Sequence, residues 1–163
     1  MNMYNLDNLA FIKDYMVKHH ETIAVAESVT AGHIQAALSL AEEASRFFQG
    51  GITTYNLGQK CRQLHIDPIH ATSCNCVSEL VAIKMSENVC PLFLSNWGLG
   101  ITGYAAPVPE LEIENLFAFY SISYNGKSLE AGKMEAPAWG SLDVQRYYVD
   151  KMLSILVHIL KNK

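Results

Sequence analysis

The sequence predicts an α/β protein on a mainly parallel, mixed sheet with helices on both faces. Two observations carry the prediction. Apolar segments of strand character alternate with segments of helical period along the chain, the order that builds parallel sheets through helical crossovers. One pair of segments instead meets at Asn125–Gly126, a dipeptide that favours a tight hairpin and so adds antiparallel pairing.

Each element has its own signal. Leu6, Leu9, Ala10, Ile12, Met16 and Val17 recur at helical spacing and predict an amphipathic helix over 5–19. TIAVA reads as a short apolar strand running into Glu27 and Ser28 at a tight turn. TAGHIQAALSLA then reads as a helix with Thr30 as its N-cap. FFQGGITTYN predicts a second strand whose paired glycines permit a bulge or a close backbone approach. LGQKCRQLH reads as helical, and the His/Cys-containing segment after it as a loop. VSELVAIKMSENV predicts a helix capped by Ser78, with Val77, Leu80, Val81 and Met85 on its apolar face. FLSNWGLGITGYAAP holds a third strand ending in a Gly/Pro-rich loop. LFAFYSISYN and KSLEAGKMEA form the hairpin, and LDVQRYYVDKMLSILVHILKN is a long closing helix. Its apolar positions are Val144, Tyr148, Met152, Ile155, Leu156 and Ile159.

Composition bounds the class. With 163 residues, half of them hydrophobic and 17% charged, the chain suits one well-buried domain over 1–163. A formal charge of −4 gives no electrostatic reason to expect nucleic acid or an anionic membrane as partner. No signal-peptide pattern opens the chain, and no stretch approaches the ~18 apolar residues needed to span a bilayer. The expectation is therefore a cytoplasmic protein with reduced thiols at Cys61, Cys74, Cys76 and Cys90. His65, His70, Cys74 and Cys76 are ligand types that zinc accepts, but Cys-x-Cys is tighter than usual ligand spacing and no second thiol pair follows.

Ligands of α/β folds gather at the carboxyl ends of the strands, where ESVTAGH, TTYNLGQK and TGYAAP belong. Ser28 at a strand-to-helix turn is a candidate nucleophile or a cap, with helix N–H groups near 29–32 as oxyanion donors. Lys60 is a candidate base if it is withdrawn from water, and otherwise a surface lysine. Tyr55 is a candidate hydrogen-bond donor or a half-buried aromatic. No nucleophile elbow, P-loop or dinucleotide fingerprint occurs.

The order of motifs adds a resemblance. TIAVAESVTAG, SRFFQGGITTYNLGQKCRQLHI, VSELVAIKMSENV and GLGITGYAAP together resemble, in register from about residue 20 to 107, the CinA C-terminal (nicotinamide-nucleotide amidase) family. The resemblance implies a three-layer α/β/α sandwich and hydrolysis of the amide of nicotinamide mononucleotide to nicotinate mononucleotide and ammonia. It implies Ser28 as nucleophile, Lys60 as general base and Tyr55 as a supporting donor. Thr30, Gly32, Gly51, Thr102 and Gly103 would bind substrate, with Arg146 reaching in from the last helix. No cofactor or metal is implied, and a homo-oligomer is.

The chain departs from the family pattern at identifiable places. Ala31 and Ala106 stand where glycines are usual, Glu110 falls in a normally glycine-rich run, and Ser141 and Gln145 replace expected arginines. The alternative to an amidase is thus a relative that keeps the fold and serves as a nucleotide-binding or protein-interaction module.

Overall fold

The computed structural model describes residues 3–163. Its five strands are β1 (Ile23–Glu27), β2 (Phe48–Thr53), β3 (Trp97–Gly103), β4 (Leu116–Tyr124) and β5 (Lys127–Ala136), in the spatial order β2-β1-β3-β4-β5. β1 pairs in parallel with both β2 and β3, and β3-β4-β5 continue antiparallel. The sheet is mixed, as the alternation and the Asn125–Gly126 turn predict, but it is not mainly parallel, because β4 joins β3 antiparallel and the hairpin adds β5 beyond it. Both turn residues have positive φ, 50° and 73°, the conformation that joins twisted strands most directly.

Alternation along β1 divides the interior. Ile23 and Val25 pack with α1 (Leu6–His19), α2 (His33–Ser39) and α6 (Ser141–Lys161), while Ala24 and Ala26 face α3 (Leu57–Leu64) and α5 (Glu79–Phe93). The second face is lined with small residues because α5 lies very close to it. A Cβ on Gly98 would stand 2.1 Å from the Ser86 carbonyl oxygen, and one on Gly100 would stand 2.4 Å from that of Ala82. The helices on both faces make the three-layer arrangement.

Three local readings need correction. The segment read as a loop after α3 contains a short helix, α4 (Pro68–Ser73), because Asp67 accepts from the Ile69 and His70 N–H groups and Pro68 opens the first turn. Leu80, expected on the buried face of α5, is 46% exposed, while Val81, Ala82 and Met85 carry the contact. Thr30 is not an N-cap. Its hydroxyl donates to Glu27 at 2.6 Å, and α2 starts later, after Gly32 at φ 101°. Ser78 does cap α5, accepting from the Val81 N–H at 3.1 Å.

Glu27 organises that turn. Its carboxylate is fully buried and accepts from the Thr30 hydroxyl and from the N–H groups of Gly32, Ile34 and Gln35, at 2.6–3.1 Å. One side chain thus supplies the cap that α2 lacks and ties the end of β1 to the helix. Between these anchors the chain passes through Ala31 at φ 50°, a left-handed conformation that costs alanine roughly 1 kcal/mol.

Two substitutions test this turn by thermal unfolding. Glu27→Gln presents an N–H₂ to a ring of donors and should cost about 3 kcal/mol, lowering Tm by roughly 10 °C. Ala31→Gly should raise Tm by a few degrees, for about 0.5–1 kcal/mol, since glycine adopts this φ without a Cβ penalty. A lowered Tm for Ala31→Gly would show that the left-handed turn is unstrained.

Candidate functional site

The three loops at the carboxyl ends of β1, β2 and β3 surround one cavity of about 530 Å³. Ser28, Tyr55, Lys60, Thr102, Gly103 and Tyr104 all line it. Ser28 leaves the sheet immediately after β1, and its N–H still donates to the Ile101 carbonyl of β3 at 3.1 Å. That bond holds the residue in line with the strand while its side chain enters the cavity. Lys60 arrives from the second turn of α3, whose N-cap Asn56 accepts from the Gln59 N–H.

Lys60 Nζ lies 2.8 Å from Ser28 Oγ and donates to the Thr54 carbonyl at 2.7 Å. The side chain is 1% exposed, so the surface-lysine alternative fails. Burial holds its ammonium below the ordinary lysine pKa of 10.5, and the nearby Cys76 and Cys61 thiols oppose the shift only in part. A neutral Nζ can keep its donor bond to Thr54 and accept the hydroxyl proton of Ser28. The pair is therefore arranged as nucleophile and base.

Most of the other expected residues take different places. Tyr55 lines the mouth of the cavity but is 73% exposed, and no hydrogen bond joins its hydroxyl to Ser28 or Lys60. Thr30 and Gly32 are absorbed by Glu27 and do not line the cavity. Gly51 sits within the sheet, where a Cβ would stand 2.6 Å from the Val25 carbonyl oxygen; its role is packing between β1 and β2. Thr102 and Gly103 do line the cavity, although the Thr102 hydroxyl is committed to the Cys76 carbonyl at 2.8 Å.

Arg146 is turned away. It lines a separate cavity of about 590 Å³ with Trp139, Asp143 and Asp150, donates to the Met3 carbonyl at 3.3 Å and lies 3.7 Å from Asp143. Gln145, one position earlier, is the α6 residue that enters the Ser28 cavity, its Nε2 donating to the Val29 carbonyl at 2.9 Å. The helical rotation of about 100° per residue decides which of the two reaches the site.

The oxyanion donors are narrowed as well. Within 29–32 the Ala31 N–H bonds the Ser28 carbonyl and the Gly32 N–H bonds Glu27. Among the described residues no group accepts a hydrogen bond from the N–H of Val29 or of Thr30, and Val29 borders the cavity. Tyr104 belongs to the lining as the TGYAAP loop predicts, while Asn75 and Cys76 belong to it without a sequence signal. Asn75 donates to the Tyr104 hydroxyl at 3.2 Å, linking the turn after α4 to the β3–β4 loop. Among the described residues no group of three or more His, Cys, Asp or Glu side chains is placed to hold a metal ion. His70 instead lies 2.9 Å from the Ser78 hydroxyl. No helix of the described residues is long and apolar enough to cross a membrane.

Comparison with known proteins agrees with this architecture. A competence damage-inducible protein of Klebsiella pneumoniae superposes with a TM-score of 0.86 at 21% identity, over 97% of this chain and 98% of that one. A CinA-superfamily protein of Escherichia coli does so at 0.85 and 21% identity, over 94% and 89%. Both show the fold. In sequence, 98 residues are 37% identical to a protein named competence-damage inducible in Streptococcus pneumoniae, covering 60% of this chain and 23% of that relative. The chain thus spans about a quarter of the length of the curated relatives it matches. Residues 7–135 match the family described as CinA C-terminal domain, and the chain belongs to that family.

Proposed function

We propose that this protein hydrolyses the carboxamide of a pyridine nucleotide of the nicotinamide mononucleotide type, releasing ammonia through an acyl-enzyme at Ser28. The observation that carries the reading is the 2.8 Å contact between Ser28 Oγ and a buried Lys60 at the floor of an open cavity.

The residues supply each proton transfer. Neutral Lys60 Nζ takes the Ser28 proton as Oγ forms a bond to the amide carbon. The carbonyl oxygen becomes an oxyanion, for which the Val29 N–H at the border of the cavity is the candidate donor. As the tetrahedral adduct collapses, the C–N bond breaks and the Lys60 ammonium returns the proton to the departing nitrogen, giving ammonia. Water then attacks the ester, with Lys60 taking its proton and returning one to Ser28 Oγ, and the carboxylate leaves. The Thr54 carbonyl keeps Nζ in place throughout.

A second reading, a binding module without catalysis, draws its support from Arg146 facing another cavity and from the exposed Tyr55. Ammonia release from nicotinamide mononucleotide separates the two. The parent should turn over, and Ser28→Ala and Lys60→Ala should each lose about 10³-fold or more in kcat. Turnover that survives Ser28→Ala sinks the acyl-enzyme; none from a folded parent with either the mononucleotide or its dephosphorylated nucleoside, from neutral to alkaline pH, favours the binding module.

The pH dependence has a definite sign. Only neutral Lys60 can act as base, so kcat/KM should rise with pH to a plateau, with its midpoint below 10.5. Stability follows the same proton. Because the folded pKa is lowered, the unfolded chain binds more protons between that pKa and 10.5, and Lys60 becomes less destabilising as pH rises through this window. Lys60→Met should therefore be more stable than the parent at neutral pH, by a margin that shrinks towards pH 10.5. A margin independent of pH in chemical denaturation would show that Lys60 titrates normally.

A further inference from the structure

The charge balance of the Ser28 cavity narrows what it takes, and the narrowing rests on the amide-hydrolysis reading above. Among the described residues Lys60 is the one cationic side chain in the lining. Its nitrogen is already engaged by Ser28 Oγ and the Thr54 carbonyl, and it is withdrawn from solvent. No arginine or histidine joins it. Arg146 is held in the other cavity by the Met3 carbonyl and Asp143, and the residue of α6 that enters the site is the uncharged Gln145. Ser141 borders the cavity at the start of α6 and carries no charge, while the Asp143 carboxylate of the same turn lines the other cavity beside Arg146.

A phosphate monoester carries a charge of about −1.5 to −2 at neutral pH. Taking it out of water is unfavourable unless cations or several N–H groups replace its hydration. Among the described residues this lining offers no free side-chain cation. It does offer two tyrosines, Tyr55 at the mouth and Tyr104 in the β3–β4 loop, to a flat ring. An N-ribosylated pyridine bears a positive charge, which aromatic faces attract.

We propose that the preferred substrate of this site is the phosphate-free pyridine nucleoside, nicotinamide riboside, rather than its 5′-phosphate. The amide chemistry is the same for both; the phosphate is what the side chains of the cavity do not neutralise. Gln145 is the position at which that selection is made, since an arginine there would extend from the same face of α6.

Ser28→Ala removes the nucleophile and leaves the lining otherwise unchanged, so binding is measured apart from turnover. Calorimetric titration with nicotinamide riboside and with nicotinamide mononucleotide, at roughly 50 and 500 mM salt, should give at least about tenfold tighter binding of the riboside. Adding Gln145→Arg should tighten the mononucleotide about tenfold in a salt-sensitive way, without tightening the riboside. Equal or tighter binding of the mononucleotide by Ser28→Ala would overturn the assignment while leaving amide hydrolysis standing. Binding of neither ligand would overturn it too. Riboside binding without ammonia release by the parent would instead overturn the hydrolysis reading and leave the binding preference in place.

Discussion

Glu27 is the residue through which the two halves of the site are built. Its carboxylate gathers the Thr30 hydroxyl and three N–H groups at the start of α2, which sets the path of the turn that carries Ser28. Its main-chain carbonyl accepts from the Thr54 N–H at 2.8 Å. Thr54 in turn offers its own carbonyl to Lys60 Nζ. A single residue at the end of β1 thus positions the hydroxyl through its side chain and the amine through its backbone. Four acceptor bonds to one buried carboxylate also offset the cost of taking it out of water.

The second constraint is the burial of Lys60. A lysine withdrawn from solvent is expensive when charged, and its environment accordingly favours the neutral amine, which is the form that can accept a proton. Placing that amine against a hydroxyl and a carbonyl satisfies its polar contacts without a carboxylate partner, which would have pulled the pKa back up. The sheet makes this burial feasible. The parallel strands β1, β2 and β3 end their loops around one cavity, and α5 seats against Gly98 and Gly100 closely enough to bring the preceding Cys76 turn beside Thr102. The same close packing leaves no room for a side chain on β3 at those two positions.

Gln145 and Arg146 show how little separates two chemistries on one helix. Both are half-buried on α6, one hydrogen-bonded to the Val29 carbonyl in the Ser28 cavity and the other facing Asp143 across a different hollow. The apolar face of α6, through Val144, Tyr148, Met152 and Leu156, is packed into the core and sets the helix rotation. An arginine one residue out of register therefore cannot serve the site without repacking that face.

The sequence by itself determined most of the elements and the hairpin that pairs β4 with β5. Apolar alternation, Asn125–Gly126 and the helical period of α1, α5 and α6 are local patterns, and local patterns survive without tertiary context. It also singled out Ser28 and Lys60 through the order of the motifs around them. Tertiary structure decided their meaning. A Ser–Lys contact spans 32 positions, so no spacing rule reveals it. Thr30 looked like a cap because its hydroxyl type and position suit one, yet the carboxylate of Glu27, fully buried beneath it, outcompetes that role with a stronger acceptor. α4 escaped notice because six residues are too few to show a period, although Asp67 and Pro68 mark its start. Whether Gln145 or Arg146 enters the cavity depends on how α6 is rotated against the sheet, and packing of its whole apolar face sets that rotation.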